Sequence, residues 1–452
     1  MQSRSERAEG LERVRQAAAR DPSLRFTSLL HHVNVDLLRS AFYSLKRKAA
    51  PGVDGVTWES YLVNLEENLQ DLHGRLHRGA YRPHPSERRY IPKPDGGQRP
   101  LGIAALEDKV AQRAVAAVLS AIYEVDFYDF SYGFRPQRNC HKALDALAYV
   151  IKRRKVNWVL EADIRGYFDS ICPDRLVRFL ERRVGDKRVL RIIQKWLWAG
   201  VLEDGIIVIP ETGTPQGSGI SPILANVYLH YVLDEWAVAW RKQHSYGEFY
   251  IVRYADDFVV ATQRQGDAER FLADLDARMK EHRLELHDAK TRILEFGRFA
   301  AVNRKVRGQG KPETFDFLGF THICGKSRRG KFLLVRHTIK KRLRNKLKAI
   351  KDDLRKRRHC TIADQGLWLS QVLDGYFQYF AVPGNGRTLD GFRTAVARLW
   401  LLSLRRRSQR HRLGWDKFAR IVDHWLPKAR DRHPMPDERF CQTLTHGKSP
   451  VR

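Results

Sequence analysis

One segment constrains this chain more than any other: residues 249–261 read FYIVRYADDFVVA. Two runs rich in aromatic and β-branched residues, which favour strands, flank the pair Asp256 and Asp257. Aspartate is disfavoured inside strands, so the pattern predicts a strand–turn–strand over 248–262 with both carboxylates at the turn. Taken alone, the pair could be only a polar hairpin turn, or it could hold a divalent cation, which prefers oxygen ligands.

A second source of carboxylate lies upstream, in the segment LEADIRGYFD at 160–169. Apolar residues over 156–164 predict a buried strand with Asp163 near its end. If this strand is a neighbour of the 248–262 hairpin, Asp163 meets Asp256 and Asp257. Three carboxylates can then hold two metal ions about 3.5–4 Å apart, an arrangement that stabilises the attacking and leaving oxygens of phosphoryl transfer.

The charge of the chain points to a polyanionic partner. Lys plus Arg number 82 and Asp plus Glu number 52, which gives a net charge of +30. Residues 326–360 contain 16 Lys and Arg but only two Asp, and residues 393–412 contain seven Arg and no acid. A chain this basic is expected to bind nucleic acid, with a membrane surface or general solubility as weaker explanations.

Cysteine spacing and apolar runs exclude other classes. The five cysteines (Cys140, Cys172, Cys324, Cys360 and Cys441) all lie more than ten positions apart, which excludes a C-x-x-C zinc knuckle and disfavours a disulfide framework. The first residues have no apolar signal core, and no run of 18 apolar residues occurs. The expectation is a cytoplasmic protein that does not enter a membrane.

Periodicity and turn chemistry predict the remaining elements. Two short strands around a Pro-Asp-Gly-Gly turn predict a β-hairpin over 88–103, which carries Lys93 and Arg99. The predicted helices cover 34–48, 59–78, 107–123, a segment that starts at Pro173, 222–240 and 267–281, and strands are predicted near 291–296 and 315–320. Residues 297–314 are predicted as a basic flexible connection, and residues 330–425 as a separate basic helical domain.

Several motifs stand in a fixed order along the chain. They are YRP at 81–83, IPKPDGGQRPLGI at 91–103, SYGFRP at 131–136, GTPQGSGISPILAN at 213–226, YADD at 254–257, FDFLGF at 315–320 and GYFQYF at 375–380. Each motif alone is weak, but in order and spacing they resemble the bacterial group II intron reverse transcriptase/maturase family over roughly residues 40–425.

This resemblance implies a fold class and a domain order. The expected fold is α+β, a right-hand polymerase with fingers and palm, built from an antiparallel sheet and helices, and a following α-helical thumb. The implied domains are an N-terminal extension and fingers (1–155), a palm with the carboxylates (156–325), a thumb/maturase RNA-binding domain (326–425) and a basic tail (426–452), predicted to be poorly ordered. The tail contains only Cys441, so no zinc endonuclease is expected.

The resemblance also implies roles for individual residues. Asp163 and Asp256, with Asp257 beside them, would bind two Mg²⁺ ions, with Mn²⁺ as a substitute. Phe168 matches an aromatic gate that excludes the sugar 2′-OH, and its alternative is a core phenylalanine. Lys290 matches a lysine that protonates the leaving pyrophosphate, and its alternative is an ordinary surface lysine.

Other motif residues match contacts to nucleotide and template. Lys93 and Arg99 match fingers residues that hold the triphosphate, where two cations can neutralise phosphate. Gln216 and Gly217 match the segment beside the nucleotide and template. Ser218 departs from the family, which has a second glycine there. In the basic helices, helical spacing favours a core role for Trp368, Tyr376, Tyr379 and Trp400 over stacking on bases.

The predicted function is that of an RNA-directed DNA polymerase of the group II intron type. It would use dNTPs to extend a DNA primer on an RNA template, and it would bind intron RNA to assist splicing, as a bacterial ribonucleoprotein. The alternatives are a domesticated reverse transcriptase in defence or repair, an RNA-binding splicing factor with a vestigial polymerase, and an RNA-directed RNA polymerase, which Phe168 disfavours.

Overall fold

The computed structural model describes residues 2–92, 97–203, 205–208, 213, 217–407, 413–436 and 440, with side chains from residue 9 onward. In this part helices are mixed with three small sheets, which confirms the predicted α+β class. The helices are α1 Gln2–Arg20, α2 Val35–Tyr43, α3 Trp58–Val63, α4 Leu65–His77, α5 Leu106–Asp126, α6 Cys140–Arg153, α7 Tyr167–Ser170, α8 Pro173–Glu181, α9 Lys187–Leu197, α10 Ser221–Leu229, α11 Glu235–His244, α12 Gln265–Glu281, α13 Ala300–Val306, α14 Lys340–Lys356, α15 Ile362–Phe380, α16 Gly386–Arg405 and α17 Trp415–Trp425. The strands are β1 Ser86–Pro92, β2 Gln98–Ile103, β3 Trp158–Ala162, β4 Val201–Glu203, β5 Ile206–Val208, β6 Phe249–Tyr254, β7 Asp257–Thr262, β8 Arg292–Glu295, β9 Phe315–Phe317, β10 Phe320–Lys326 and β11 Phe332–Thr338. Short 3-10 turns cover Leu30–His32 and Asp288–Lys290, and a π-helical turn covers His230–Asp234.

The central sheet has the strand order β6–β7–β3–β8, and its neighbouring strands are all antiparallel. Leu160 on β3 lies opposite Val260 on β7, and Val159 lies opposite Ala261. Because successive residues of a strand point to opposite faces, the first pair joins one hydrophobic core and the second pair joins another. The register brings the end of β3 to the start of β7, where the predicted carboxylates stand.

Two cores cover the two faces of this sheet. The first is formed with helices from α1 to α12, among which α5 buries Val110 and Val118 completely. The second is formed with α6, the three-stranded sheet β11–β10–β9 and helices α14–α17. The central sheet is therefore enclosed on both faces, and its carboxylate-bearing edge is held by packing from both sides.

The predicted β-hairpin over 88–103 is confirmed as β1 and β2, which pair from Glu87–Ile103 to Pro92–Gln98. It belongs to a sheet of order β2–β1–β4–β5, in which β1 and β4 are parallel. Lys93 lies outside the described residues.

Several predicted elements differ in detail. The helix predicted over 59–78 is two helices, α3 and α4, which meet at Asn64. The helix predicted over 222–240 contains the π-helical turn, and the connection predicted over 297–314 contains α13. The strand predicted near 315–320 is divided between β9 and β10, because Leu318 and Gly319 have positive φ and turn the chain.

The C-terminal helices, for which a separate domain is predicted from about residue 330, pack against the central sheet. The segment starts with β11, which pairs with β10, and α14–α17 share the second core with α6 and the central sheet. Trp400 and Tyr376 are buried in that core, as helical spacing favours, and Trp368 is half-buried beneath the guanidinium of Arg357. The Tyr379 hydroxyl donates to the carbonyl of Leu318 at 2.8 Å.

The described part of the segment predicted as a poorly ordered tail packs on the protein. The ring of His433 stacks on His141 with 3.8 Å between centroids, and Phe440 stacks on Tyr149 at 4.5 Å. Phe440 is buried in the second core. The rest of that prediction, including Cys441, falls on residues that the structure does not describe.

Helices at the surface are amphipathic rather than uniformly apolar. For example, α14 buries Ile350 and Leu354 and exposes most of its lysines and arginines. Among the described helices, none has both the length and the apolar character needed to cross a bilayer.

Candidate active site

Asp256 and Asp257 stand at a tight turn between β6 and β7. Tyr254 pairs with Asp257, so only Ala255 and Asp256 lie outside the ladder, and Ala255 has a φ of 56°. Gly133 packs directly against this turn, since a Cβ added to it would lie 2.2 Å from the backbone nitrogen of Ala255. Gly133, in the motif at 131–136, therefore allows the backbone to pack closely against the turn at Ala255 and Asp256.

A buried ion pair holds the same turn from inside. The guanidinium of Arg253 is fully buried and donates to both carboxylate oxygens of Asp234, from Nε at 2.8 Å and from Nη2 at 2.5 Å. Its Nη1 donates to the carbonyl of Ala255 at 3.0 Å and to Oδ1 of Asn226 at 3.1 Å. Asn226 in turn donates to the carbonyl of Gly133 at 2.8 Å. Each polar group in this network has a partner, as burial requires.

The sequence prediction missed this network, although a signal was present. Arg253 is a charged residue inside a strand whose other residues are apolar, and such a residue needs a buried partner. The partner, Asp234, lies in the π-helical turn that interrupts the predicted helix, and irregular turns of this kind often occur at functional sites.

Asp163 directly follows β3 and reaches the same edge of the sheet. Ala162 lies opposite Phe258 on β7, and the carbonyl of Asp163 accepts a hydrogen bond from the backbone of His287 at 2.8 Å. The sequence predicted that the carboxylates would meet if the strand before Asp163 were a neighbour of the 248–262 hairpin. This condition is met, because β3 and β7 are hydrogen-bonded neighbours. Asp163, Asp256 and Asp257 thus lie close enough to affect one another electrostatically.

The carboxylates are destabilised in their charged forms. Burial, and then repulsion from Asp256 and Asp163, raise the pKa of Asp257 to about 7. Burial also raises the pKa of Asp256, with a further contribution from Asp163. The surface of Asp257 is accessible to solvent, yet many protein atoms lie around its carboxylate and reduce its solvation. This combination is expected for a group in an open cleft. Positive charge placed near these carboxylates would stabilise their charged forms.

Lys290 supplies part of that charge. Its ammonium donates to Oδ2 of Asp163 at 2.5 Å, from the 3-10 turn Asp288–Lys290. The side chain of Lys290 is 58% exposed, so this lysine lies at the surface and also contacts the carboxylate cluster. The guanidinium of Arg99, which is exposed on β2, lowers the pKa of Asp256. Arg99 therefore adds positive charge to the same cleft.

The oxygens of Asp163, Asp256 and Asp257 are suitable ligands for a hard divalent cation, but they do not form a complete coordination shell by themselves. Among the described residues, no group of three or more His, Cys, Asp or Glu side chains is arranged to hold a metal ion unaided. Carboxylate oxygens are the ligands that Mg²⁺ prefers, and Mg²⁺ commonly completes its shell with water and substrate phosphates. The repulsion between Asp256, Asp257 and Asp163 is what such an ion would relieve.

Phe168 lies on the short helix α7, five positions after Asp163 in sequence. Its neighbour Tyr167 is buried and donates from its hydroxyl to the carbonyl of Ala225 at 2.6 Å, which anchors the helix. Phe168 itself is half-buried, and its ring meets the exposed ring of Phe134 edge-on at 6.5 Å. It therefore packs on the core and still presents part of its ring outside it.

Gly217 and Ser218 lie where the GTPQGSG motif approaches the β1–β2 hairpin. Gly217 has a φ of 104°, and a Cβ on it would lie 2.7 Å from the carbonyl oxygen of Gly102. Ser218 is buried and donates from Oγ to Oε1 of Gln112 at 2.9 Å, and the same oxygen accepts the backbone N–H of Gly219. Gln216 lies outside the described residues.

Comparison with known proteins identifies related sequences. The sequence pattern of the family described as reverse transcriptase (RNA-dependent DNA polymerase) matches residues 91–322. The protein YkfC of Escherichia coli is 34% identical over 73% of this chain and 91% of its own length. The group II intron-encoded protein LtrA of Lactococcus lactis is 36% identical over 49% of this chain, and a putative COX1/OXI3 intron 1 protein of Saccharomyces cerevisiae is 33% identical over 45%. These matches cover only 37% and 24% of the lengths of the two intron proteins.

Proposed function

This chain belongs to the reverse transcriptase (RNA-dependent DNA polymerase) family, in its group II intron branch, and from that premise we propose that it uses dNTPs to extend a DNA primer along an RNA template. The observation that carries the proposal is the meeting of Asp163 with Asp256 and Asp257 at one edge of the central sheet. The reaction joins a primer 3′-hydroxyl oxygen to the α-phosphorus of the nucleotide and releases pyrophosphate.

We propose that Asp163, Asp256 and Asp257 bind two Mg²⁺ ions, with Mn²⁺ as a substitute. Mutual repulsion and burial support this, because a divalent cation is the counter-charge that relieves both. When bound, such ions activate a hydroxyl nucleophile and neutralise developing phosphate charge. The three carboxylates would fix the positions of the ions. The contacts of Gly133 and Arg253 hold the turn that carries Asp256 and Asp257.

The cations of the cleft act on the nucleotide. Arg99, together with the predicted Lys93, would bind the triphosphate, and a guanidinium is suited to it through its paired donors. Lys290 would give its proton to the leaving pyrophosphate oxygen, and Asp163 holds its ammonium in the cleft.

Three further residues are assigned to the nucleotide sugar and the template. Phe168 would lie against the sugar and leave no room for a 2′-hydroxyl, since its ring projects beyond the anchored Tyr167. Gly217, with the predicted Gln216, would contact nucleotide and template through backbone that no side chain obstructs.

In polymerase terms, we propose fingers within 1–155, a palm over 156–325, a thumb over 326–425 and a basic tail from 426. The β1–β2 hairpin would be the fingers element and the central sheet the palm. The boundary at 325/326 lies within the β10–β11 pair, so the thumb would be continuous with the palm rather than hinged on a free linker.

A role in binding intron RNA and assisting splicing is the second part of the proposal. Support comes from the relative named as a group II intron-encoded protein and from the net charge of +30, part of which is exposed along α14. Binding through phosphates would weaken steeply as salt is raised. Sequencing the RNA that co-purifies with the full chain tests this part.

Primer extension tests the central claim. The full chain is given a DNA primer annealed to an RNA template, dNTPs and Mg²⁺, and we expect extension by the wild type. Asp256→Asn and Asp163→Asn should each lose at least 99% of the rate, whereas Asp288→Asn, an exposed aspartate of the neighbouring 3-10 turn, should retain it. Equal rates for Asp256→Asn and wild type would refute the assignment of the carboxylates.

A further inference from the structure

Phe134, in the motif at 131–136, has an unusual backbone conformation. Its φ is 57°, in the left-handed region that a bulky L residue rarely adopts. The residue is also 52% exposed and lies outside both hydrophobic cores of the described chain. Packing in a core therefore does not explain the strained backbone. Strain of this kind persists only where the surrounding structure imposes it, and it often occurs at functional sites.

The residues on both sides of Phe134 impose this conformation. The carbonyl of Gly133 accepts a hydrogen bond from Nδ2 of Asn226 at 2.8 Å. Arg135 is buried, and its Nη1 donates to the carbonyl of Ser131 at 2.9 Å. Because Gly133 and Arg135 are both fixed by contacts with the protein interior, the backbone between them is held in place and the ring of Phe134 is left exposed.

Phe168 is presented from a second element that the same helix anchors. The hydroxyl of Tyr167 donates to the carbonyl of Ala225 at 2.6 Å, and Ala225 directly precedes Asn226 in α10. One turn of α10 therefore holds the neighbours of both phenylalanines. The backbone of Gly213 also closes on α7, since a Cβ added to it would lie 3.2 Å from the carbonyl oxygen of Phe168.

The rings of Phe134 and Phe168 meet edge to face. Their centroids are 6.5 Å apart and their planes are inclined by 74°, within the range of about 4.5–7 Å in which aromatic pairs attract each other. Phe168 packs against the first core, whereas Phe134 stands outside it. Phe134 therefore contacts Phe168 on a side that the core leaves open.

This contact matters because an aromatic ring excludes a 2′-hydroxyl only if the ring cannot move aside. Phe168 is half-buried and lies on α7, a helix of four residues, so the core covers only part of its side chain. Rotation to another rotamer would carry the ring away from its present position. The ring of Phe134 opposes such a rotation, since the edge-to-face contact would be lost.

We propose that Phe134 holds the ring of Phe168 in place and so determines, through Phe168, how strongly the protein prefers dNTP over rNTP. This inference rests on the proposed polymerase function. Phe134 is a positioning residue in this scheme, because it acts on the nucleotide sugar only through Phe168. The strained backbone of Phe134 is what presents its ring to Phe168.

Sugar selectivity is measured first, as the ratio of kcat/KM for dNTP to kcat/KM for rNTP in primer extension on an RNA template. Phe134→Ala should lower this ratio about 3- to 10-fold by raising kcat/KM for rNTP, with kcat/KM for dNTP within about 2-fold of the wild type. Phe134→Tyr keeps the ring and should keep the ratio. Phe299→Ala is the matched control, because Phe299 is 55% exposed and lies at the start of α13, and it should leave the ratio unchanged.

A double variant tests whether Phe134 acts through Phe168. The ratio for Phe134→Ala combined with Phe168→Ala should lie within about 2-fold of the ratio for Phe168→Ala alone, because the ring that Phe134 holds is already absent. If the two losses multiply instead, Phe134 acts on the substrate or the template by itself, and the inference is wrong.

Urea unfolding of the wild type, the two single variants and the double variant measures the ring contact without catalysis. The coupling between the two residues should amount to about 2- to 10-fold in the unfolding equilibrium constant. An unchanged ratio in Phe134→Ala, an equal fall in Phe299→Ala or the absence of coupling would overturn the inference. A wild type that extends the primer with neither nucleotide would contradict the proposed function, and the unfolding measurement would still test the contact.

Discussion

The ammonium of Lys290 donates to Oδ2 of Asp163 at 2.5 Å, although 127 positions separate the two residues in sequence. The contact forms because β3 ends at Ala162 while the chain returns through the bridge of Ile164 with Leu286, which brings the 3-10 turn beside the sheet edge. Lys290 is thereby positioned to offset the charge of Asp163, and under the proposed function it would hold a proton for the leaving pyrophosphate.

Replacing Lys290 with methionine is expected to lower kcat about 100-fold, because a positioned general acid typically contributes 10²–10⁴-fold. The KM for dNTP should change little. Steady-state extension, which gives kcat and KM separately, is the measurement. Lys280→Met, which removes a lysine paired with Asp276 on α12, is the control. Unchanged kcat would restrict Lys290 to neutralising Asp163.

The pKa of Asp257 predicts how the metal-free protein responds to pH. The pKa is about 7 in the fold and 3.8 in an exposed aspartate, so the folded protein binds this proton more tightly than the unfolded chain. The resulting stability is complete below about pH 4 and is lost as pH rises to 7. Asp257→Asn should therefore be more stable than the wild type at pH 8, by roughly 1 kcal/mol because solvent screens this exposed group.

Melting in EDTA at pH 5 and pH 8 measures this difference. At pH 8, Mg²⁺ should stabilise the wild type more than the variant, which keeps only Asp163 and Asp256, and the apparent affinity of the wild type for Mg²⁺ should increase up to about pH 7 as the proton ceases to compete. If Asp257→Asn is destabilised equally at both pH values, the carboxylate is not strained by charge.

Phe168→Ala is expected to admit ribonucleotides. Its ring projects beyond the core while Tyr167 is anchored, so removal of the ring opens space without removing the support of α7. The preference for dNTP over rNTP, measured as a ratio of kcat/KM values, should fall about 10- to 100-fold. Tyr167→Phe should lower stability by about 1 kcal/mol through its lost hydrogen bond and leave the preference intact. An unchanged ratio in Phe168→Ala would return Phe168 to a purely structural role.

The sequence predicted the parts of the site that depend on local pattern. The strands around Asp256 and the hairpin that carries Arg99 follow from alternation and turn chemistry, and they are present. Pairing of β3 with β7 was a condition rather than a prediction, because periodicity within a strand does not identify its neighbour. The charge of Arg253 inside an apolar strand signals a buried partner, but the sequence does not identify Asp234 as that partner, since the π-helical turn that aligns it has no local sequence signature.

Gly217→Ala and Ser218→Gly are expected to affect different properties of the protein, the first its catalytic rate and the second its stability. Gly217→Ala would place a Cβ 2.7 Å from the carbonyl of Gly102 at a φ of 104°, so both strain and a shift of β2 should lower kcat about 10-fold or more. Ser218→Gly removes the hydrogen bond to Gln112 and should cost about 1 kcal/mol of unfolding free energy with kcat unchanged. Thermal melting and primer extension measure the two effects. A large loss of kcat in Ser218→Gly would show that the hydroxyl acts on the substrate.

The buried pair of Arg253 and Asp234 should show strong non-additivity. Arg253→Met or Asp234→Leu alone leaves one buried charge without its partner and should cost about 3–5 kcal/mol of unfolding free energy. The double variant removes both charges and should recover most of that loss, whereas the surface pair of Lys280 and Asp276 should show a coupling below about 1 kcal/mol.

Activity of this double variant then separates packing from positioning. Arg253 also donates from Nη1 to the carbonyl of Ala255, the residue before Asp256, and apolar substitutes cannot replace that contact. A protein that melts near the wild-type temperature should still lose about 10-fold in kcat, because the turn that carries the carboxylates is less firmly held and small misplacements of reacting groups are costly. If the stable double variant keeps its full kcat, then Gly133 and the strand pairing suffice to hold the turn, and the ion pair contributes only to folding.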